Sequence, residues 1–154
     1  MINQEYVDDL ANETMGLVWQ EEYNIGNDMV DEQHQILFKI ATEALILKAT
    51  HDSSEKAKEE LKNIIQSLFD YTVKHFHDEE IYMASISYPQ LPAHKVRHHD
   101  ILKAFEDFVK TMDDLSFEEI EDTLYEVIKA YFIEHITGMD NDIGVWVREQ
   151  EKQA

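Results

Sequence analysis

Seven residues of this chain lie at spacings suited to gripping cations: His34, His75, Glu79, His94, His98, His135 and Asp140. Three of the spacings are local, His75-x-x-x-Glu79, His94-x-x-x-His98 and His135-x-x-x-x-Asp140. A pair at i and i+4 on an α-helix lies nearly one above the other on a single face, so both side chains can reach one ion. Five imidazoles and two carboxylates are more than one ion can use, and the count itself points to two. No cysteine occurs, which excludes disulfides, iron–sulfur clusters and thiolate-held zinc. Imidazole with carboxylate suits iron, zinc or manganese, and ligand type alone does not choose among them.

Such residues need a scaffold, and hydrophobic periodicity predicts one made of four helices. The first runs from about Val30 to Lys48, with Val30, His34, Leu37, Ala41 and Leu45 on one stripe. A turn over Thr50–Ser54 follows, and Asp52 with Glu55 has the pattern of a capping box opening the second helix. Its inner positions are Leu61, Ile65, Leu68, Thr72, His75, Glu79 and Tyr82. Pro89 and Pro92 are expected to end it, and Pro92 can serve in the first turn of the third helix. That helix carries His94, His98, Ile101, Phe105 and Phe108 on one face. Ser116 with Glu119 is a second capping box, opening a fourth helix with Leu124, Ile128, Tyr131 and His135 in line; Gly138 is the expected stop. The expectation is an all-α protein: an up-down-up-down antiparallel four-helix bundle over about 30–138, with an N-terminal arm over 1–29 and a short C-terminal tail to 154. A chain of 154 residues can bury roughly 70 % of its unfolded surface around one core, so a single domain suffices.

The five histidines and Glu79 fall on the apolar stripes, in line with leucines, isoleucines and phenylalanines. A lone histidine there is more often a core residue bonded to a carbonyl. Five of them with a glutamate, spread over all four helices, are too many for that explanation, because ionisable groups are costly to bury unless paired or metal-bound. The same test sets aside His77, which points away from the His75 stripe, His99, which directly follows His98, and His51 in the turn. Asp140 stays open on spacing alone: five residues beyond His135 it lies about 140° off the face of a straight helix. A helix that ends or bulges at Gly138 would fold it back under His135. If Glu79 and Asp140 each bridge a metal pair and one solvent oxygen joins them, five histidines divide as three and two. One metal then has a filled octahedron and the other a single vacant position. Glu-x-x-His pairs, the mark of the carboxylate-rich di-iron oxidases, are absent.

The charge balance is strongly acidic, 33 Asp and Glu against 13 Lys and Arg. Such a surface repels phosphate backbones and anionic lipid, so neither nucleic acid nor membrane insertion is expected. The opening residues lack the basic and apolar runs of a signal peptide, and no apolar stretch approaches the ~20 residues of a membrane span. The expectation is a cytoplasmic protein.

The ordered set Asp31-Glu-Gln-His34, His75-Phe-His-Asp-Glu79-Glu80 with Met83, Tyr88-Pro89, His94-x-x-x-His98 and His135-Ile-x-x-x-Asp140 resembles the hemerythrins in their single-domain bacterial form. The resemblance spans about Trp19 to Asp140. It implies two iron ions with an oxo or hydroxo bridge in a four-helix bundle, and reversible dioxygen binding there. His94, His98 and His135 would hold the coordinatively full iron, His34 and His75 the open one, and Glu79 and Asp140 would bridge. The nearest residues to an oxygen pocket by helical phase are Leu37, Phe38, Phe76, Tyr131 and Phe132. At the position of Tyr131 the family often has tryptophan; its phenol either alters pocket polarity and autoxidation or packs as the indole does. The leading function is a non-catalytic oxygen carrier or store. A sensor acting through a partner protein, or a di-iron enzyme of peroxidase or nitric-oxide chemistry, are the alternatives.

Overall fold

The computed structural model describes residues 19–50 and 54–154, with the side chains of Leu45, Lys48, Ala49, Thr50, Phe132 and Ile133 also left aside. His51 and Asp52 therefore lie outside the described residues, as does the Phe132 side chain. Four helical rods make a bundle: α1 (Asp28–Thr50), α2 (Glu55–Ser85), α3 (Leu91–Thr111) and α4 (Phe117–Ile128), the last continuing beyond its own end. The connections are short, and α2 packs against α1 on one side and α3 on the other. No helix among the described residues is long and apolar enough to cross a membrane.

Each start has a local cause. Asn27 caps α1 by accepting from the Val30 amide at 3.0 Å. The cap of α2 is Ser54, which accepts from Ala57 at 3.2 Å, so the role expected of Asp52 belongs to the serine. Ser116 and Glu119 form the full reciprocal box at the start of α4. Pro92 sits in the first turn of α3, where its missing amide costs nothing.

The end of α2 differs from expectation. Its stop is set before Pro89 by Ser87, which adopts a left-handed φ of 57°. The Ser87 amide donates to the Ala84 carbonyl at 3.1 Å and the Tyr88 amide to that of Met83 at 3.0 Å. These two bonds are a Schellman closure, usually built on glycine, and the apolar contact that accompanies it is made by Met83 and Tyr88, both buried in one cluster. Serine in the glycine role hides the signal from a sequence reading.

The larger correction concerns Gly138. It does not stop the fourth helix: the only left-handed glycine among the described residues is Gly26, at φ 93°. From Lys129 to Asp140 the rod becomes a π-helix, and it resumes as α5 (Asn141–Gln153). The expected tail is thus helical. Gly144 lets α5 approach the arm, since a Cβ there would stand 2.8 Å from the Cα of Ile25. Asp31 holds the same arm residues, accepting from the Ile25 amide at 2.8 Å and that of Gly26 at 3.3 Å.

The core has two parts. The main one includes Leu61, Ile65, Phe105 and Leu124, as the stripes predict, together with Ile120. A smaller one gathers Ile25, Val30, Met83, Tyr88 and Ile143, with Trp146 against Tyr88, and closes one end of the bundle. Between them lies the histidine layer. The inner stripe of α2 shifts near its end, where Met83 is buried and Tyr82 is only half-buried.

Candidate metal centre

Each rod contributes to one buried layer. His34 comes from α1, His75 and Glu79 from α2, His94 and His98 from α3, and His135 and Asp140 from the π segment. All seven are 2 % exposed or less. Asp140 reaches the layer because i→i+5 hydrogen bonding widens the turn and brings the fifth residue back over His135. His77 and His99 are exposed.

Donor atoms of these residues fall into two groups, each with its atoms within 4.8 Å of one another. One holds His94, His98, His135, Glu79 and Asp140; the other holds His34, His75, Glu79 and Asp140. Each carboxylate divides its oxygens between the groups. Glu79 Oε1 lies 3.1 Å from the Nε2 atoms of His94 and His98, while its Oε2 lies 3.1 Å from His75 and 3.2 Å from His34. Asp140 Oδ1 lies 2.7 Å from His94 and 3.1 Å from His135, and its Oδ2 lies 3.1 Å from His34.

These approaches suit shared ions better than hydrogen bonds alone. Donor atoms at right angles around a first-row metal, with bonds of about 2.1 Å, stand about 3 Å apart. His75 makes the point chemically. Its Nδ1 faces Gln33 Oε1 at 2.8 Å, and the Gln33 amide nitrogen donates to Asp78 Oδ2 at 2.8 Å, so the glutamine oxygen is the end turned to the ring. An amide oxygen only accepts, so Nδ1 carries the hydrogen and the neutral ring presents a lone pair at Nε2. That lone pair faces a carboxylate oxygen. The Nε2 atoms of His75, His98 and His135, with Glu79 Oε1 and Asp140 Oδ2, are buried and lack a hydrogen-bond partner. Converging lone pairs with no proton between them are repulsive unless a cation joins them, and this is the donor set a metal requires.

Protonation in the protein alone follows from the same crowding. Burial opposes charge on His34, yet Asp140 and Glu79 outweigh it and raise its pKa to about 9. His94 is raised to about 10 by the same two carboxylates against the same penalty. In His75 burial prevails and the pKa is lowered. Burial would raise Glu79 and Asp140, but the surrounding histidines hold both carboxyls well below the usual range.

Gln33 and Glu80 were not among the residues expected to act on the site. Glu80 Oε2 lies 2.9 Å from His98 Nδ1, so the ring is held from behind as His75 is by Gln33. Both stand beside a predicted ligand in sequence, but nothing in the spacing says which ring they reach. Of the expected pocket residues, Leu37, Phe38, Phe76 and Tyr131 are buried. Phe76 stacks on His98 at 3.7 Å between ring centroids and lies 5.9 Å from His75. Trp19, absent from the expected set, is 6.1 Å from His34 and 5.3 Å from Phe38. Tyr131 is fully buried, and burial keeps its phenol pKa well above the usual value. It also forms the inner wall of a cavity of about 430 Å³ between α3 and α4, with Ile101, Phe105 and Val127 among its lining.

Comparison with known proteins follows this geometry. Residues 25–147 match the hemerythrin HHE cation binding domain. The chain is 34% identical to a bacteriohemerythrin of Clostridium acetobutylicum over 126 residues, 81% of this chain and 96% of that one. It is 31% identical to a bacteriohemerythrin of Stenotrophomonas maltophilia, covering 80% and 76% of the two chains. A myohemerythrin of Riftia pachyptila is 29% identical, with 80% and 87% covered. Non-haem iron and oxygen binding are the functional frame these relatives support.

Proposed function

We propose that this chain, which belongs to the hemerythrin family, binds dioxygen reversibly at a pair of iron ions held by His34, His75, Glu79, His94, His98, His135 and Asp140. The observation that carries the reading is the division of both carboxylates, one oxygen of each to either histidine group. His94, His98 and His135 would hold one metal and His34 with His75 the other. The second group offers four protein residues against five, so the place for a small exogenous ligand is on the His34–His75 side.

An iron pair supplies, when bound, the two electrons that dioxygen accepts on binding. The chain's part is to hold the rings, keep water out and withhold protons. Trp19 lies between the His34 ring and Phe38, Leu37 is buried one turn on, and Phe76 covers His98. Burial keeps the Tyr131 phenol protonated, with its pKa well above the usual value, which leaves the layer without a ready general acid. This favours storage or carriage of oxygen over turnover, in the cytoplasm.

The test is an optical titration of the reduced, iron-loaded protein with dioxygen, followed by deoxygenation. One dioxygen per two irons and full recovery of the reduced spectrum are expected. Saturation at one metal per chain, or oxidation without recovery, would overturn the proposal.

A further inference from the structure

We infer that the two metal positions are made unequal from behind their histidines: Gln33, anchored by Asp78, positions His75 as a neutrally backed donor, whereas Glu80 positions His98 as a donor backed by charge. The inference rests on the two-metal reading above and concerns what tunes the pair.

The two arrangements are parallel up to the last atom. In each, a ring nitrogen remote from the layer meets an oxygen at hydrogen-bond distance, 2.8 Å for His75 and Gln33 Oε1 and 2.9 Å for His98 and Glu80 Oε2. In each, that contact assigns the ring hydrogen to Nδ1 and leaves Nε2 to face the carboxylates. The difference is the charge of the acceptor. A carboxylate draws the imidazole proton toward itself and makes Nε2 a stronger donor, favouring the higher oxidation state of the metal it meets. An amide oxygen does the same work of orientation with much less transfer of charge.

Beyond the acceptors the paths diverge further. Gln33 is 6 % exposed, and its amide nitrogen donates to Asp78, which also accepts from Lys74 at 2.9 Å. Asp78 therefore prevents the amide from turning, since the reversed amide would set an N–H against the Nδ1 hydrogen of His75 and an oxygen against a carboxylate. Lys74 offsets the carboxylate charge, so the chain from His75 through Gln33 and Asp78 to Lys74 is neutral overall. Glu80 has no lysine or arginine partner among the described residues, so no such cation offsets its charge where it meets His98. The position with the open place is thus kept the poorer in electrons. A metal held so gives up charge to a ligand less completely, and the ligand is more readily released.

Gln33→Glu, Gln33→Leu and Glu80→Gln test this, each compared with the unaltered protein by anaerobic iron titration and by stepwise reduction of the loaded diferric form. All must first show the helical spectrum of the parent. Gln33→Leu is expected to weaken one of two iron-binding steps by about 10–100-fold and leave the other in place, the usual cost of losing the partner behind a metal-bound histidine. Gln33→Glu restores that step, which a packing role alone would not achieve with a charged residue, and lowers the potential of one reduction step. Glu80→Gln raises the potential of the other. Two irons bound with both potentials unmoved, or both variants moving the same step, would overturn the inference and leave the two-metal reading intact. Fewer than two irons in the parent protein would overturn that reading and this inference with it.

Discussion

The two ends of the bundle are built from the same four stripes and held together by different physics. At the end containing Leu61, Ile65, Phe105, Ile120 and Leu124, every inward position is apolar, and burial alone favours assembly. Several turns further along the same faces, the inward positions are His34, His75, Glu79, His94, His98, His135 and Asp140. The other buried polar residues among those described, Asp31, Gln33 and Thr72, lie beside this layer. Here burial opposes assembly, because each group gives up water and several find no hydrogen-bond partner. The apolar end therefore makes the fold, and the polar end spends part of that stability on a site that a cation completes. The small cluster of Ile25, Met83, Tyr88 and Ile143 seals the layer from the far side.

This contrast can be broken from either end. The largest effect is expected from Glu79→Ala, which removes an oxygen from both histidine groups at once. Two-metal loading should be lost, and the protein without metal should lose about 3 kcal/mol because the protonated His34 and His94 are left buried with Asp140 as their single shared counter-charge. Metal analysis with thermal unfolding checks both, and retention of two tightly bound irons would show that Glu79 is not shared. Phe105→Ala is the converse. Truncating this fully buried ring should cost about 3–5 kcal/mol of stability while the folded fraction, in the cold, still takes up two irons per chain.

Acidity separates the ends without mutation. His34 and His94, with pKa values near 9 and 10, are protonated at neutral pH, so two bound metals must displace both protons. The overall constant for binding two irons is then expected to rise by about 100-fold per pH unit below pH 9, about tenfold per iron. Stability without metal should move the opposite way. Raised histidine pKa values contribute fully below the ordinary 6.5, and that contribution is lost as pH rises through about 9 to 10. Calorimetry of both forms from pH 6.5 to 10 would show the crossing; parallel slopes would mean that the carboxylates do not hold these protons. The smallest effect belongs to Tyr131→Phe, where the two regions meet. Deleting the buried hydroxyl while keeping the ring should change stability by about 1 kcal/mol and leave both irons bound. Tyr131 is a poor acid but carries the one hydroxyl among the expected pocket residues, so its removal should slow the residual decay of the oxygenated form in stopped-flow measurements, and equal or faster decay would reduce Tyr131 to a packing ring.

The stripes themselves were legible along the chain. Leu61 through Glu79 on α2 and His94 through Phe108 on α3 all proved buried, since side-chain direction in an α-helix follows from a fixed turn and needs no knowledge of neighbours. The reciprocal cap at Ser116 was equally local. Asp140 was not: its place depends on a widened turn from Lys129 to Asp140, which the local spacing permits but does not require. The helix beyond Gly138 and the serine-built stop at Ser87 escaped notice because both depart from the usual use of glycine.

By itself the sequence determined which residues face inward along each rod, five histidines and Glu79 among them, and hence that the chain carries a helical bundle with a polar layer. Only the tertiary structure decided how those donors are shared. The division of Glu79 and Asp140 between two histidine groups, and the choice of Gln33 for one ring and Glu80 for another, are made across gaps of about 3 Å between different rods. Periodicity orients a side chain about its own helix axis, but the distance between two axes and their relative height come from packing against the rest of the core, which no single helix encodes.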